Sequence, residues 1–397
     1  MSHRLTLLHP LDPRGAKVGG IETHVRLMLS RYPDDFSVLF VGMDERGDME
    51  IGKPVKLEID GRTIDFLPVV HIADETIHAA AKRLTQSVTL RFALGLMRHF
   101  LTIRRLAAGD AASTEIERFE FATIAKALGH PVVQLVHGEG SKGDKMDSLI
   151  KRYWWIHRLN EEVALRLANR VVAVNPNIIA RYERDMPKVA AKAEMLTVSV
   201  DTERFPAVPF PDGDVFRVVF AGRLDAFKDP PLMFETLRRL AGKLDGKLEF
   251  HYIGTSDPAR DPEFAAIAPL TIRHGFQNAA GVSAIMQACH AGILTSYFEG
   301  MPCYLLELLS SGRPMGAIRL KQYDPLVEAG VSGFLVERPE DRGQAAEQMA
   351  EGFRELAEAI AGRRLDPQAI RAKVRPYSVA VQMPKLFERH RGLGRAR

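Results

Sequence analysis

Short apolar runs alternate with helix-periodic segments in two successive series, and that alternation constrains this chain more than any other feature. Arg4 to His9 reads as a buried strand, followed by a glycine-containing loop (Gly15, Lys17, Gly19, Gly20) and a helix from Ile21 to about Arg31. Further apolar runs at Ser37 to Val41, Pro131 to Val136 and Arg170 to Val174 alternate with helical patterns at Glu117 to Leu128 and Leu159 to Ala168. Such alternation predicts parallel strands joined by crossover helices.

Between Asp201 and Phe216 the text becomes TERFPAVPFPDGDV, whose prolines can continue neither a helix nor a central strand. A second series begins after it. Strands are expected at Arg217 to Ala221, Leu248 to Ile253, Thr271 to Arg273, Gly292 to Leu294, Pro314 to Ile318 and Phe334 to Val336. Helices are expected near Pro231 to Leu240, Ala279 to Ala288 and Pro302 to Leu309. A length of 397 residues suits two domains of this kind. We place them at 1–205, with 376–397 returning to the first, and at 206–375; ligands would bind in a cleft at the carboxyl ends of the strands.

Two cysteines, Cys289 and Cys303, both in segments read as helices, exclude a disulfide framework and predict a reduced, cytoplasmic setting. Neither a signal peptide nor an 18-residue apolar window is visible. The net charge of +4 is unevenly placed: Thr76 to Gly109 holds six basic residues (Lys82, Arg83, Arg91, Arg98, Arg104, Arg105) and no acidic one, so 4 − 6 leaves −2 elsewhere. That balance argues against nucleic-acid binding. Within 80–106, Arg91, Arg98 and Arg105 recur every seven residues beside apolar bulk (Leu90, Phe92, Leu94, Met97, Phe100, Leu101), which suits either an anionic membrane surface or a core helix with a solvated face. Tyr153, Trp154 and Trp155 are read as core or as an interfacial belt, and the basic end, Arg389 to Arg397, as a frayed tail.

The chemistry is concentrated in TSYFEGMPCYLLELLSSGRP, Thr295 to Pro314, where a strand ends and a helix starts after Gly300 with Pro302 in its first turn. Glu299 stands at that entrance and Glu307 about two turns on, and open N–H groups between them suit phosphate. FEGMPCYLLELLSSGRP resembles the signature of the glycosyltransferases group 1 family, in which two glutamates are separated by seven residues. VGGIETHV (Val18 to Val25), LVHGEG (Leu135 to Gly140), ANRVVAVN (Ala168 to Asn175), VSVDTERF (Val198 to Phe205) and FAGRLDAFKDP (Phe220 to Pro230) fall in the family's order.

The resemblance implies an α/β GT-B architecture, two Rossmann-like domains facing a central cleft, and a retaining hexosyltransferase that needs no metal and no cofactor. It assigns Arg223 and Lys228 to the donor diphosphate, Glu299 to hydroxyls of the transferred sugar, Glu307 to the ribose, and His137 to the neighbourhood of the reacting carbon. Gly19, Gly20, Gly300, Met301 and Pro302 complete the donor-binding set. The donor would be a UDP- or GDP-sugar and the acceptor a glycan or lipid-linked sugar, in surface polysaccharide or glycolipid assembly on the inner face of the cell membrane. Departures from the pattern are Pro325, where a glutamate is usual before Leu326 and Val327, and Val198 with Ser199, where asparagine and glycine are usual. A sugar-nucleotide epimerase on the same architecture and a non-catalytic sugar-nucleotide-binding scaffold are the alternatives. A dinucleotide-dependent oxidoreductase lacks its G-x-G-x-x-G turn.

Overall fold

The computed structural model describes residues 2–15, 19–73, 87–138 and 154–394. The chain forms two compact units, one built from the residues up to Val198 together with Val379 onward, the other from Ser199–Ser378.

In the first unit β1 (His3–Leu8), β2 (Phe36–Asp44), β3 (Val55–Ile59), β4 (Arg62–His71), β5 (Ala111–Ile116), β6 (Val132–Val136), β7 (Arg170–Ala173) and β8 (Ala193–Met195) form one sheet in the order β3-β4-β2-β1-β5-β6-β7-β8. Every pairing is parallel except β3 with β4. Side chains two apart on a strand share a face, and β2 shows it: Val38 and Phe40 enter one core with Met28, Leu29, Leu386 and Phe387, while Leu39 and Val41 enter the other with Phe92, Leu96 and Phe121. Apolar residues on both faces are what a covered parallel sheet requires. β3 and β4 are joined by Asp60 and Gly61, both at positive φ (47° and 79°), the two-residue turn whose twist matches the flanking strands.

In the second unit β9 (Phe216–Ala221), β10 (Leu248–Ile253), β11 (Thr271–Gly275), β12 (Ala291–Leu294), β13 (Met315–Ile318) and β14 (Gly333–Val336) form a wholly parallel sheet in the order β11-β10-β9-β12-β13-β14. The chain winds outward from β9 to β11 and then resumes beside β9 with β12. The point where the winding reverses therefore lies between the carboxyl ends of β9 and β12, where sheets of this class bind ligands.

Several expectations are corrected. Glu117 belongs to no helix; it follows β5, a strand the sequence reading missed, and the helical turns start at Phe119–Phe121 and Ala122–Ala127. Pro302 is the residue that precedes the helix Cys303–Ser310 rather than a member of its first turn. Cys289 lies beyond the helix Ala279–Gln287 and is buried, and Cys303 begins the next helix; both are free thiols. The basic stretch is two helices, Val88–Arg98 and Phe100–Ala107, interrupted at His99, so Arg105 does not continue the stack of Arg91 and Arg98; Lys82 and Arg83 lie outside the described residues. Trp155 is exposed, which excludes a core role for it; Tyr153 and the side chain of Trp154 lie outside the described residues. The C-terminal segment is no frayed tail through Gly394: the helix Val379–Gly394 is fastened to the first unit by Arg389 to Glu194 (2.9 Å), His390 to Glu115 (2.6 Å) and Arg391 to Asp35 (2.7 Å).

The proline-dense stretch is bound to the second unit by Arg313, whose side chain is wholly buried. Its guanidinium donates to the carbonyls of Val208 (2.8 Å), Pro209 (2.8 Å) and Gln287 (2.7 Å) and lies 5.0 Å from the centre of the Phe210 ring. Burial lowers its pKa to about 10, so it remains a cation, held by carbonyl dipoles and an aromatic face. Arg313→Met removes the charged hydrogen bonds that hold these partly buried carbonyls, and we expect a loss of about 2–3 kcal/mol, a hydrogen bond to a charged group being worth roughly 1.5–3 kcal/mol; urea denaturation monitored by circular dichroism measures it.

Candidate functional site

The second unit brings the predicted donor residues to the reversal point. β9 ends at Ala221, and Gly222 turns the chain at φ 147°, a conformation that favours glycine. Gly254, after β10, lies so close that a Cβ on it would stand 2.4 Å from the carbonyl oxygen of Gly222, so neither strand end tolerates a side chain there. Arg223 then points outward, exposed, its guanidinium 2.8 Å from Asp225. A short turn, Ala226–Lys228, leads through Asp229, at φ 52°, into the helix Pro230–Lys243.

β12 ends at Leu294, and the loop after it is tied back to that turn by backbone groups. Thr295 donates its hydroxyl to the carbonyl of Lys228 (2.7 Å), the Tyr297 N–H donates to the carbonyl of Phe227 (2.8 Å), and the rings of Phe227 and Phe298 stack at 4.9 Å. Arg338 bonds Asp229 (2.7 Å) and the carbonyl of Thr295. These ties set Lys228 Nζ 2.6 Å from Glu299 Oε1, with both side chains largely buried, and Ser296 donates to the same oxygen at 2.8 Å. Gln322 holds the Glu299 carbonyl at 2.8 Å. Arg338 and Gln322 were missed because no pattern in one sequence joins residues so far apart; Ser296 and Asp229 lie inside the quoted motifs and were not singled out.

Gly300, Met301 and Pro302 lead into the helix Cys303–Ser310, and no side chain caps that helix. Its entrance therefore suits an anion. Glu307, in its second turn, is half-buried, and no described side chain or N–H bonds its carboxylate. Burial raises its pKa to about 7.

The first unit holds the remaining predicted residues. Gly19 is extended (φ −173°) and precedes the helix Gly20–Arg31, so neither glycine is needed for a left-handed turn; a Cβ on Gly19 would instead meet the Glu22 carboxylate at 2.4 Å. His137 follows β6, and its Nε2 bonds Glu117 Oε2. The His24 ring, from VGGIETHV, meets that of His137 edge-on at 5.8 Å. Ligand atoms of His24, Glu115 and Glu117 lie within 4.8 Å of one another, all buried. Glu115 and Glu117 were not identified from the sequence, because Glu117 was read as the start of a helix and Glu115 was placed in no element.

Residues 215–357 match the family model described as Glycosyl transferases group 1. Among solved structures, sucrose-phosphate synthase from Thermosynechococcus elongatus aligns with a TM-score of 0.76 at 15% identity, over 98% of this chain and 99% of that one. An α,α-trehalose-phosphate synthase (UDP-forming) from Burkholderia vietnamiensis aligns at 0.69 and 14% over the whole of both chains. HepE from Anabaena, solved in complex with UDP and glucose, aligns at 0.66 and 16% over 98% of this chain and 100% of that one. No curated protein sequence matches the chain. The two α/β units thus have the GT-B fold, as the motifs implied. The match to the group 1 glycosyltransferase model lies wholly within the second unit.

Glu307 gives a pH dependence. Its folded pKa, about 7, lies above the ordinary carboxylate value, so ionising it costs stability; the cost is absent below about pH 4.5, grows through the interval and is complete above 7. Glu307→Gln is therefore expected to leave stability unchanged at low pH and to raise it above neutrality by up to about 3 kcal/mol, one pKa unit being worth about 1.4 kcal/mol. Thermal unfolding of both proteins across that pH range measures the crossover.

Proposed function

We propose that the protein transfers a hexosyl unit, with retention and without a metal, from a UDP- or GDP-sugar to a glycan or lipid-linked acceptor in surface polysaccharide or glycolipid biosynthesis. The observation that carries this reading is the Lys228–Glu299 pair at the reversal point of the second sheet, with Arg223 on the same loop after β9, exposed and paired with Asp225. A donor diphosphate offers Lys228 a stronger anionic partner than Glu299, and the exchange frees the carboxylate for hydroxyls of the sugar. Glu307 then accepts from the ribose hydroxyls, which supply the hydrogen bonds its carboxylate lacks. The names of the neighbours, a UDP-forming synthase and a protein solved with UDP, favour uridine as the base.

In the reaction the bond between the anomeric carbon and the phosphate oxygen breaks while the acceptor oxygen bonds the same face of that carbon. The acceptor's proton passes to the departing phosphate. Negative charge grows on that phosphate, and Lys228 and Arg223, once they have exchanged their carboxylate partners for it, stabilise it more in the transition state than in the ground state. Glu299 stabilises positive charge on the sugar without bonding to it, and His137 binds an outer hydroxyl.

Calorimetry with UDP- and GDP-sugars in excess EDTA tests this. Wild type is expected to bind one of them, Lys228→Ala is expected to lose that binding, and turnover is expected to fall by about 10²- to 10³-fold, the usual cost of one preorganised charge. No binding by folded wild type to either sugar nucleotide overturns the reading in favour of a scaffold; conversion of the donor without an acceptor, giving an epimeric sugar, favours the epimerase.

The lipid-linked acceptor and a peripheral position on the inner face of the membrane rest on a second observation. Leu90, Leu94 and Met97 lie exposed along one side of Val88–Arg98, Leu101 is exposed on the next helix, and Arg98, Arg104 and Arg105 are exposed beside them. Among the described residues no helix is long and apolar enough to cross a membrane. An apolar strip flanked by arginines suits insertion at an anionic interface. The protein is expected to float with vesicles rich in anionic lipid, and Leu94→Glu with Leu101→Glu is expected to remain in the soluble fraction; flotation of wild type with neutral vesicles alone would refute the electrostatic part.

A further inference from the structure

Behind His137 the first unit contains a buried row of ionisable groups that the proposed reaction does not use. His3 Nε2 lies 2.7 Å from Ser113 Oγ, that oxygen 2.9 Å from His390 Nδ1, and His390 Nε2 2.6 Å from Glu115 Oε2. Glu117 stands two residues beyond Glu115 and binds His137 through its own Oε2. Ser113, Glu115 and His390 are wholly buried, and Glu117 is nearly so. Each carboxyl thus has one oxygen held by a histidine, while Glu115 Oε1 and Glu117 Oε1 accept from no N–H. Two carboxylates so close and so dry cannot both be ionised.

We infer that Glu115 and Glu117 share one proton, carried by Glu115, which leaves Glu117 ionised as a positioning residue that fixes His137 with Nε2 protonated and Nδ1 open to a ligand. Directions of titration agree: burial and the neighbouring Glu117 raise Glu115 well above the ordinary range, whereas His137, His24 and His9 outweigh burial and lower Glu117. The groups facing Glu117 come from four elements, namely His9 after β1, His24 in the first helix, Glu115 in β5 and His137 after β6. A divalent ion on His24, Glu115 and Glu117 would balance the charge as well. A proton, however, needs only the two carboxyls, which have ligand atoms within 4.8 Å of each other.

The inference rests on the proposed role of His137 for its relevance to catalysis, but its test does not. Long-range nitrogen–proton NMR of the ligand-free protein reads each histidine tautomer, with His137→Gln used to identify the signal. Wild type is expected to show one state protonated at Nε2. Glu115→Gln reproduces a protonated acid in shape and bonding, so it is expected to keep that signal and the melting temperature. Glu117→Met removes the acceptor and is expected to give mixed tautomers. Loss of the fixed tautomer in Glu115→Gln would overturn the inference even if Glu117→Met fails to fold. So would one equivalent of a divalent metal in the purified protein that Glu115→Gln releases. Failure of donor binding would strike the functional reading and leave these outcomes unchanged.

Discussion

The parallel pairing of β9 with β12 governs where the second unit can hold anything. A strand laid first and then flanked on both sides forces its following loop one way and the loop of its later neighbour the other, and the opening between them cannot be filled by a crossover helix. Lys228 and Glu299 meet across it. Their separation is set mainly by uncharged groups: Thr295 on the carbonyl of Lys228, Tyr297 on that of Phe227, and the stacked rings of Phe227 and Phe298. The ion pair is therefore presented by the backbone, and it can exchange partners without dismantling the loop.

The described units handle buried charge in different ways. Arg313 is surrounded by carbonyl oxygens and an aromatic ring; it is satisfied and fixed. Glu115 and Glu117 are satisfied if they hold a proton between them. Lys228 and Glu299 satisfy each other, and either can be claimed by a newcomer. Glu307 has burial without a bonding partner and bears a raised pKa for it.

Much of this was legible in the sequence, because the carboxyl-end motifs are local. Glu299 and Glu307 are eight residues apart on one loop and helix, and Arg223 and Lys228 follow one strand. The strands from Arg217 to Val336 were found because apolar runs bounded by turns are local as well. The first unit was less readable. Glu115 sits in Ala111–Ile116, a run of small and polar residues without a strand's apolar alternation, and only pairing with β1 and β6 makes it a strand, with Glu117 just beyond its end. The ends of Arg389 to Arg391 look like a solvated basic tail until Glu194, Glu115 and Asp35 meet them from distant strands and loops. One local signal was overlooked: Asp60-Gly61 between alternating Val55, Leu57, Ile59 and Ile64, Phe66 is a strong short-range hairpin signature.

That hairpin has a further consequence for how the protein behaves among copies of itself. A parallel sheet ending on an open strand presents unpaired N–H and C=O groups to any passing chain. Here the first sheet ends in β3, which runs against its neighbour and turns the exposed Lys56 and Glu58 outward, while the opposite edge, β8, is three residues long. A stranger's strand would gain few bonds at one side and would have to bury two charges at the other. The wide sheet that supports His137 is thereby kept from growing, and its two edges make poor templates for aggregation.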